Sequence, residues 1–171
     1  MKVDSKKYLA LYDQENYLFN HLGPAIKKRG FIKFDEFYKI CMWKSARQKP
    51  KYIKNKNTVE KLTRTAFQLK EDEKMKMLCK LKGVGIPTAS ALLAIVYPKK
   101  YPIIDVRCVY MLKELRENIN KSITINNWLK YLRIMRNIAK ENMITPRELD
   151  KVLFAMHKEK LEADGFKNLY K

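Results

Sequence analysis

Acidic residues are scarce in this chain. Against 37 Lys+Arg it carries 18 Asp+Glu, a formal net charge of +19 on 171 residues. An excess of that size on so short a chain favours a polyanionic partner, nucleic acid first among them. Glycine and proline are also few, 5 and 6, so long regular elements are expected. The cysteines Cys41, Cys79 and Cys108 are far apart and odd in number, which indicates no disulfide framework. They are expected as small buried hydrophobes. His21 and His157 stand alone, and no side-chain metal site is expected. No apolar run reaches the roughly 18–20 residues of a membrane span. The basic residues are not gathered on one amphipathic helix, which disfavours an anionic membrane surface. The N-terminal MKVDSKKYLALYDQ has no apolar signal-peptide core. A cytoplasmic (nucleoid-associated, if prokaryotic), monomeric protein is expected.

What is present is a hydrophobic content of 46%, enough for a real core. No alternating β pattern of any length occurs, so the expected fold is all-α. A helix over 4–22 is expected to end at Gly23-Pro24, with His21 at its end. A short helix over 25–29 leaves through Gly30. Phe34, Phe37, Ile40 and Cys41 fall on one face of a helix over 34–44. Between Lys44 and Lys56 come Lys44, Arg47, Lys49, Lys51, Lys54 and Lys56 with no acid. Trp43 and Tyr52 lie among these charges, a composition suited to phosphate contact and base stacking as well as to a solvated loop. Asn57-Thr-Val-Glu60 and Thr145-Pro-Arg-Glu148 read as capping boxes. The first opens a helix carrying Val59, Leu62, Ala66 and Leu69. The second opens one carrying Leu149, Val152, Leu153 and Met156. A helix from about Asn126 points Trp128, Leu132, Met135 and Ile138 inward.

The most informative stretch is Leu78 to Leu115. It reads as the end of a helix that begins near Glu71, a Gly-Val-Gly turn, a helix from about Pro87 to Val96, and a short loop. An aspartate, Asp105, then opens a third helix. Gly83 and Gly85 permit a tight turn and close backbone approach, and Pro87 suits a first helical turn. The turn leaves backbone N–H groups at a helix N-terminus, a ready site for a phosphate oxygen.

In Leu81, Gly83, Val84, Gly85, Thr88 and Ala89, followed by Tyr101, Pro102 and Asp105, the stretch resembles the helix-hairpin-helix DNA glycosylase superfamily, the group that includes endonuclease III and the adenine glycosylases. The resemblance implies two interleaved helical subdomains in one unit, about 26–104 and about 1–25 plus 105–171, with Asp105 at the cleft between them. It implies a double-stranded DNA partner held by Gly83, Val84, Gly85, Thr88 and Lys82, with Ser45, Arg47 and Gln48 in the loop that fills the gap left by a flipped base. Asp105 then stabilises the charge that develops on the sugar and assists an attacking water. A monovalent cation at the backbone carbonyls of Leu81 and Val84 is also implied. Some relatives hold an iron–sulfur cluster with four cysteines near the C-terminus. No cysteine follows Cys108, so no such cluster is expected and no cofactor is implied.

One departure matters. Bifunctional relatives carry a lysine eighteen positions before the aspartate; here that position is Pro87. Lys82, Lys99 and Lys100 are nearby in sequence. The expected activity is therefore that of a monofunctional DNA glycosylase in base-excision repair, which releases a damaged or mismatched base without amine-driven strand cleavage. Two other readings remain open: a non-catalytic DNA-binding module in which Asp105 is only a helix cap, and a basic RNA-binding accessory protein. Trp43, Tyr8, Tyr12, Trp128 and Phe154 are aromatic enough to stack on a base, although each also suits the core.

Overall fold

The computed structural model describes residues 17–163. It is all-helical, with no strand among the described residues. The helices are α1 (Gly23–Arg29), α2 (Phe34–Lys44), α3 (Lys49–Tyr52), α4 (Val59–Gln68), α5 (Glu71–Leu78), α6 (Ile86–Val96), α7 (Val106–Glu114), α8 (Ile125–Glu141) and α9 (Pro146–Ala163). Among the described residues, no helix is long and apolar enough to cross a membrane.

Helix α6 sets the arrangement. Its sequence, IPTASALLAIV, has no polar face, and every residue from Thr88 to Val96 is buried. Such a helix must be covered all round. The coverage comes from α1, α2, α5 and the turn Leu18–Leu22. Small residues at 89, 91 and 94 let these neighbours approach. Helices α7 and α9 pack closely on each other and α8 lies against α9, while α5 touches α8 and joins the two groups. One continuous apolar core runs from Leu18 to Leu153.

Gly23 and Pro24 do not end a helix. Leu18–Leu22 forms a π-helical turn in which the Gly23 N–H donates to the Leu18 carbonyl, and the chain continues directly into α1. The wide turn makes room for the proline ring, which would clash in a regular helix interior. His21 therefore lies within the helical run, exposed and stacked on Tyr17, and not at its end. Gly23 is a packing residue: a Cβ there would collide with the Ile95 carbonyl of α6. Residues 4–16 of the expected first helix lie outside the described residues.

The expected capping boxes divide. Thr145 and Glu148 form theirs, with the Thr145 N–H donating to Glu148 at 2.7 Å and the Glu148 N–H to Thr145 Oγ1 at 3.1 Å. Asn57 and Glu60 do not: α4 begins at Val59, so Thr58 and not Asn57 takes the cap position, and it makes no side-chain cap. The chain enters α4 in a nearly helical conformation from the turn Ile53–Asn55, and the Thr58 hydroxyl donates back to the Asn55 carbonyl at 3.2 Å. Trp128, Leu132, Met135 and Ile138 are buried on α8, as their spacing requires.

Gly23→Ala should destabilise the fold by about 1–3 kcal/mol, the usual cost of overpacking a tight contact. Chemical denaturation of wild type and variant side by side is the check. An unchanged midpoint would show that α1 and α6 are not packed this closely.

Candidate functional site around Asp105

Asp105 follows a non-helical stretch, Tyr101 to Ile104, whose four residues are all buried. Irregular backbone inside a core must find hydrogen-bond partners outside helix and sheet. At Ile103 and Ile104 side chains supply them. The Ile103 N–H donates to Asp150 Oδ2 at 2.6 Å, and the Ile103 carbonyl accepts from the Tyr131 hydroxyl at 2.9 Å. The Ile104 N–H donates to Ser90 Oγ at 3.1 Å. Ser90 is on α6, Tyr131 on α8 and Asp150 on α9, so three helices hold the residues just before Asp105. Asp150 is itself paired with the buried Arg147. The Tyr101 ring stacks on Trp128 at 6.4 Å between centroids.

Asp105 then caps α7, with Oδ1 accepting the Arg107 N–H at 2.8 Å. Its second oxygen, Oδ2, faces two cations: Lys44 Nζ at 3.4 Å and the Arg107 guanidinium at 4.0 Å. The carboxylate is 19% exposed and the Lys44 side chain 18%, sheltered enough for charge interactions to exceed those at an open surface. Lys44 is the last residue of α2, so the pair joins α2 to α7 across 61 positions of sequence. Phe154 of α9 lies under the Arg107 guanidinium, 5.0 Å from its ring centroid. His157 is held below the usual histidine range, first by burial, then by the positive charge of Arg107, against an opposing pull from Asp105. Below the surface, Cys108 and Tyr131 are both pushed well up by burial, so both stay neutral.

The Gly-Val-Gly turn between α5 and α6 is fixed by contacts inside the protein. Gly83 is left-handed, with φ +82°. A Cβ there would also meet Lys51 Cβ at 2.9 Å and the Tyr52 ring at 3.1 Å. The buried amide of Asn55 clasps the preceding residue from both sides. Its Oδ1 accepts the Lys82 N–H at 2.7 Å, and its Nδ2 donates to the Lys82 carbonyl at 2.9 Å and to the Tyr52 carbonyl at 3.0 Å. Tyr52 meanwhile donates its hydroxyl to the Ser45 carbonyl at 3.1 Å, with the Thr88 hydroxyl beside it. Tyr52 and Asn55 thus bind the 45–48 segment to the glycine turn.

The sequence candidates sort accordingly. Ser45 is half-buried and extended, Arg47 is exposed on the turn Ala46–Gln48, and Gln48 is half-buried. The Lys82 side chain and Gly85 are exposed, while Gly83 is half-buried. The Val84 and Thr88 side chains are both buried, Val84 in the core and Thr88 against Tyr52. The Leu81 carbonyl accepts the Val84 N–H at 3.0 Å, which leaves one of its two lone pairs for a cation. Arg47, Lys49, Lys51, Lys54 and Lys56 are all exposed, and no ion pair among the described residues engages them. Of the aromatic candidates, Trp128 is fully buried, Phe154 is half-buried, and Trp43 is 37% exposed against the edge of Phe19. Tyr8 and Tyr12 lie outside the described residues. A shallow hollow of about 510 Å³ is lined by Glu71, Lys99, Lys100, Tyr101, Arg136 and Lys140 among others, and Asp105 is not in its wall.

Asn55, Tyr131 and Asp150 are the site-building residues that the sequence did not single out; they act through partners 27, 28 and 47 positions away. Lys44 was legible only as the first of the basic run, not as the partner of Asp105. Comparison with protein-family models, with curated proteins and with solved structures finds no match for this chain.

The two glycines separate structural from binding roles. Gly83→Ala should lower stability by about 1–2 kcal/mol from the left-handed backbone alone. At Gly85 an added Cβ meets nothing closer than Pro87 Cδ at 3.8 Å, so Gly85→Ala should leave the melting temperature almost unchanged. If the turn approaches a phosphate, Gly85→Ala will nevertheless weaken duplex binding. Equal affinity for wild type and a well-folded Gly85→Ala would remove the turn from the interface.

Proposed function

We propose that this chain is a DNA-binding base-excision protein, a DNA glycosylase that hydrolyses the N-glycosidic bond of a flipped damaged or mismatched base. The observation that carries the reading is the position of Asp105. A sheltered carboxylate stands at the start of α7, beside the end of α2, where the basic segment 44–56 begins. Tyr52 and Asn55 tie that same segment to the glycine turn. The residues that the resemblance assigned to catalysis, phosphate binding and helix filling are therefore connected through Lys44, Tyr52 and Asn55.

The chemistry follows from the charges. The exposed cations of 44–56 neutralise phosphates and bring affinity without sequence information. The N-terminus of α6, behind the glycine turn, offers backbone N–H groups to a phosphate oxygen. The target nucleotide leaves the stack, at a cost least for a damaged or mismatched base. As the bond to the base breaks, the sugar becomes positively charged. A fixed carboxylate lowers that barrier because it needs no reorganisation at the moment of reaction. The same oxygen can order or deprotonate the attacking water. Pro87 offers no amine from the hairpin, so base release by this route is hydrolytic, as in a monofunctional enzyme. The division into a central unit of about 26–104 and a terminal unit of about 1–25 with 105–171 belongs to the same reading. Its support is the packing of α7 and α8 on α9 and of α2, α4, α5 and α6 among themselves; the turn Leu18–Leu22, assigned to the terminal unit, packs on α6. The proposed partner is double-stranded DNA, bound by a monomer.

One observation favours a second reading. The Asp105 carboxylate caps α7 with good geometry, and Asp is a preferred cap whether or not it reacts. In that reading the chain is a DNA-binding module without activity.

The experiment is base release from a panel of duplexes, each holding one lesion or mismatch. Hot alkali follows, so that every abasic product is scored as a strand break. Wild type should release at least one base. Asp105→Asn, which still accepts the Arg107 N–H, should lose release by about 10²-fold or more, the scale of removing one electrostatic stabiliser. Equal activity in the variant would leave Asp105 as a cap only.

A further inference from the structure

Lys44 goes unused in base release by water, yet it is placed against the reacting carboxylate. We propose that Lys44 gives this protein a second activity: its amine condenses with the aldehyde of an abasic deoxyribose and drives cleavage of the strand. The inference rests on Asp105 marking the position of the sugar, and it goes beyond base release.

Three observations carry it. First, Lys44 Nζ lies 3.4 Å from Asp105 Oδ2, so whatever sugar atom approaches the carboxylate also approaches the amine. Second, both side chains are about four-fifths buried, at 18% and 19% exposure. Third, the other cation at that oxygen is Arg107, at 4.0 Å, and a guanidinium does not deprotonate to become a nucleophile. The lysines near the hairpin in sequence are placed elsewhere. Lys99 and Lys100 line the hollow beside Glu71 and Arg136, and the Lys82 side chain is exposed on the turn. The buried Lys74 is committed to the Tyr101 hydroxyl at 3.4 Å. The amine that Pro87 cannot supply thus arrives from a different helix, at the end of α2.

The steps balance without an added oxidant or reductant. Asp105, in contact with the ammonium, accepts its proton and frees the amine. The nitrogen lone pair adds to C1′ of the ring-opened sugar, and the carbonyl electrons move to oxygen. Asp105 returns that proton to the hydroxyl, which leaves as water and gives an imine. The Asp105 carboxylate then takes a C2′ proton, the C–H electron pair forms the C2′–C3′ double bond, and the C3′–O bond breaks with its electron pair going to the 3′ phosphate oxygen. Water hydrolyses the imine and returns Lys44. Such covalent catalysis needs an amine next to a base, and Lys44 beside Asp105 supplies both.

The test starts from a duplex containing one abasic site, so it needs no knowledge of the base removed. The full chain is mixed with this duplex in the presence of borohydride, which reduces an imine to a permanent cross-link, and run on a denaturing gel. Wild type should give a covalent protein–DNA band, and mapping of the cross-linked peptide should place it on Lys44. Lys44→Arg keeps a cation for Asp105 but has no amine to condense, so it should bind the duplex as wild type does and lose the band. Replacing Lys99 and Lys100 together with glutamine should leave the band intact. A band that persists in Lys44→Arg, or no band in wild type, overturns the proposal. Bases released from the lesion panel without any trapped complex would leave the glycosylase reading standing alone. Trapping without base release from any lesion would leave the lyase and remove the glycosylase.

Discussion

A helix without a polar face is the constraint on which this structure depends. Every residue of α6 from Thr88 to Val96 is buried, so no side of it can be left to water. Its neighbours must come close, which is why alanines and a serine occupy it and why α1 presents a glycine to the Ile95 carbonyl. The burial also creates a demand for polar satisfaction. Ser90 answers it twice, donating to the Pro87 carbonyl at 2.8 Å and accepting the Ile104 N–H at 3.1 Å. The second of these bonds begins the positioning of Asp105.

From α6 the constraint passes to the chain before the carboxylate. Residues 101–104 are non-helical and buried, and in that setting each unpaired backbone group would cost roughly 1–3 kcal/mol. Ser90, Tyr131 and Asp150 remove that penalty at Ile103 and Ile104 and, in doing so, fix where Asp105 emerges. The carboxylate is thus supported from three helices before it makes a contact of its own. Its own contacts, to the Arg107 N–H and to Lys44, then join the end of α2 to the start of α7. A preorganised carboxylate of this kind serves equally as a helix cap and as an electrostatic stabiliser, because both roles require a fixed oxygen at a helix N-terminus.

The basic segment 44–56 is organised by the opposite physics. Beyond Lys44 its lysines remain exposed, and what orders it is a pair of buried polar side chains, Tyr52 and Asn55. Asn55 satisfies both backbone groups of Lys82, so the turn at Gly83 and the segment carrying Arg47 form one piece. A positively charged surface on a rigid support is suited to a regular polyanion, since it loses little conformational entropy on binding. Lys44 stands where this surface meets the half-buried carboxylate.

Much of this was legible in the chain alone. The all-helical class, the limits of α2 and α6, the buried stripe of α8, the capping box of α9 and the helix start at Asp105 all follow from interactions within a few residues, which periodicity and capping chemistry describe directly. The break expected at Gly23-Pro24 failed because a tertiary contact uses Gly23 for its fit against α6, and the box expected at Asn57 and Glu60 failed because α4 starts one residue later, with Thr58 in the cap position and its hydroxyl turned back to the Asn55 carbonyl. The clasp of Asn55, the support from Tyr131 and Asp150, and the meeting of Lys44 with Asp105 were decided by tertiary structure alone. Each joins groups 27 to 61 positions apart, and such pairings exist only once the closed packing around α6 has brought the helices together.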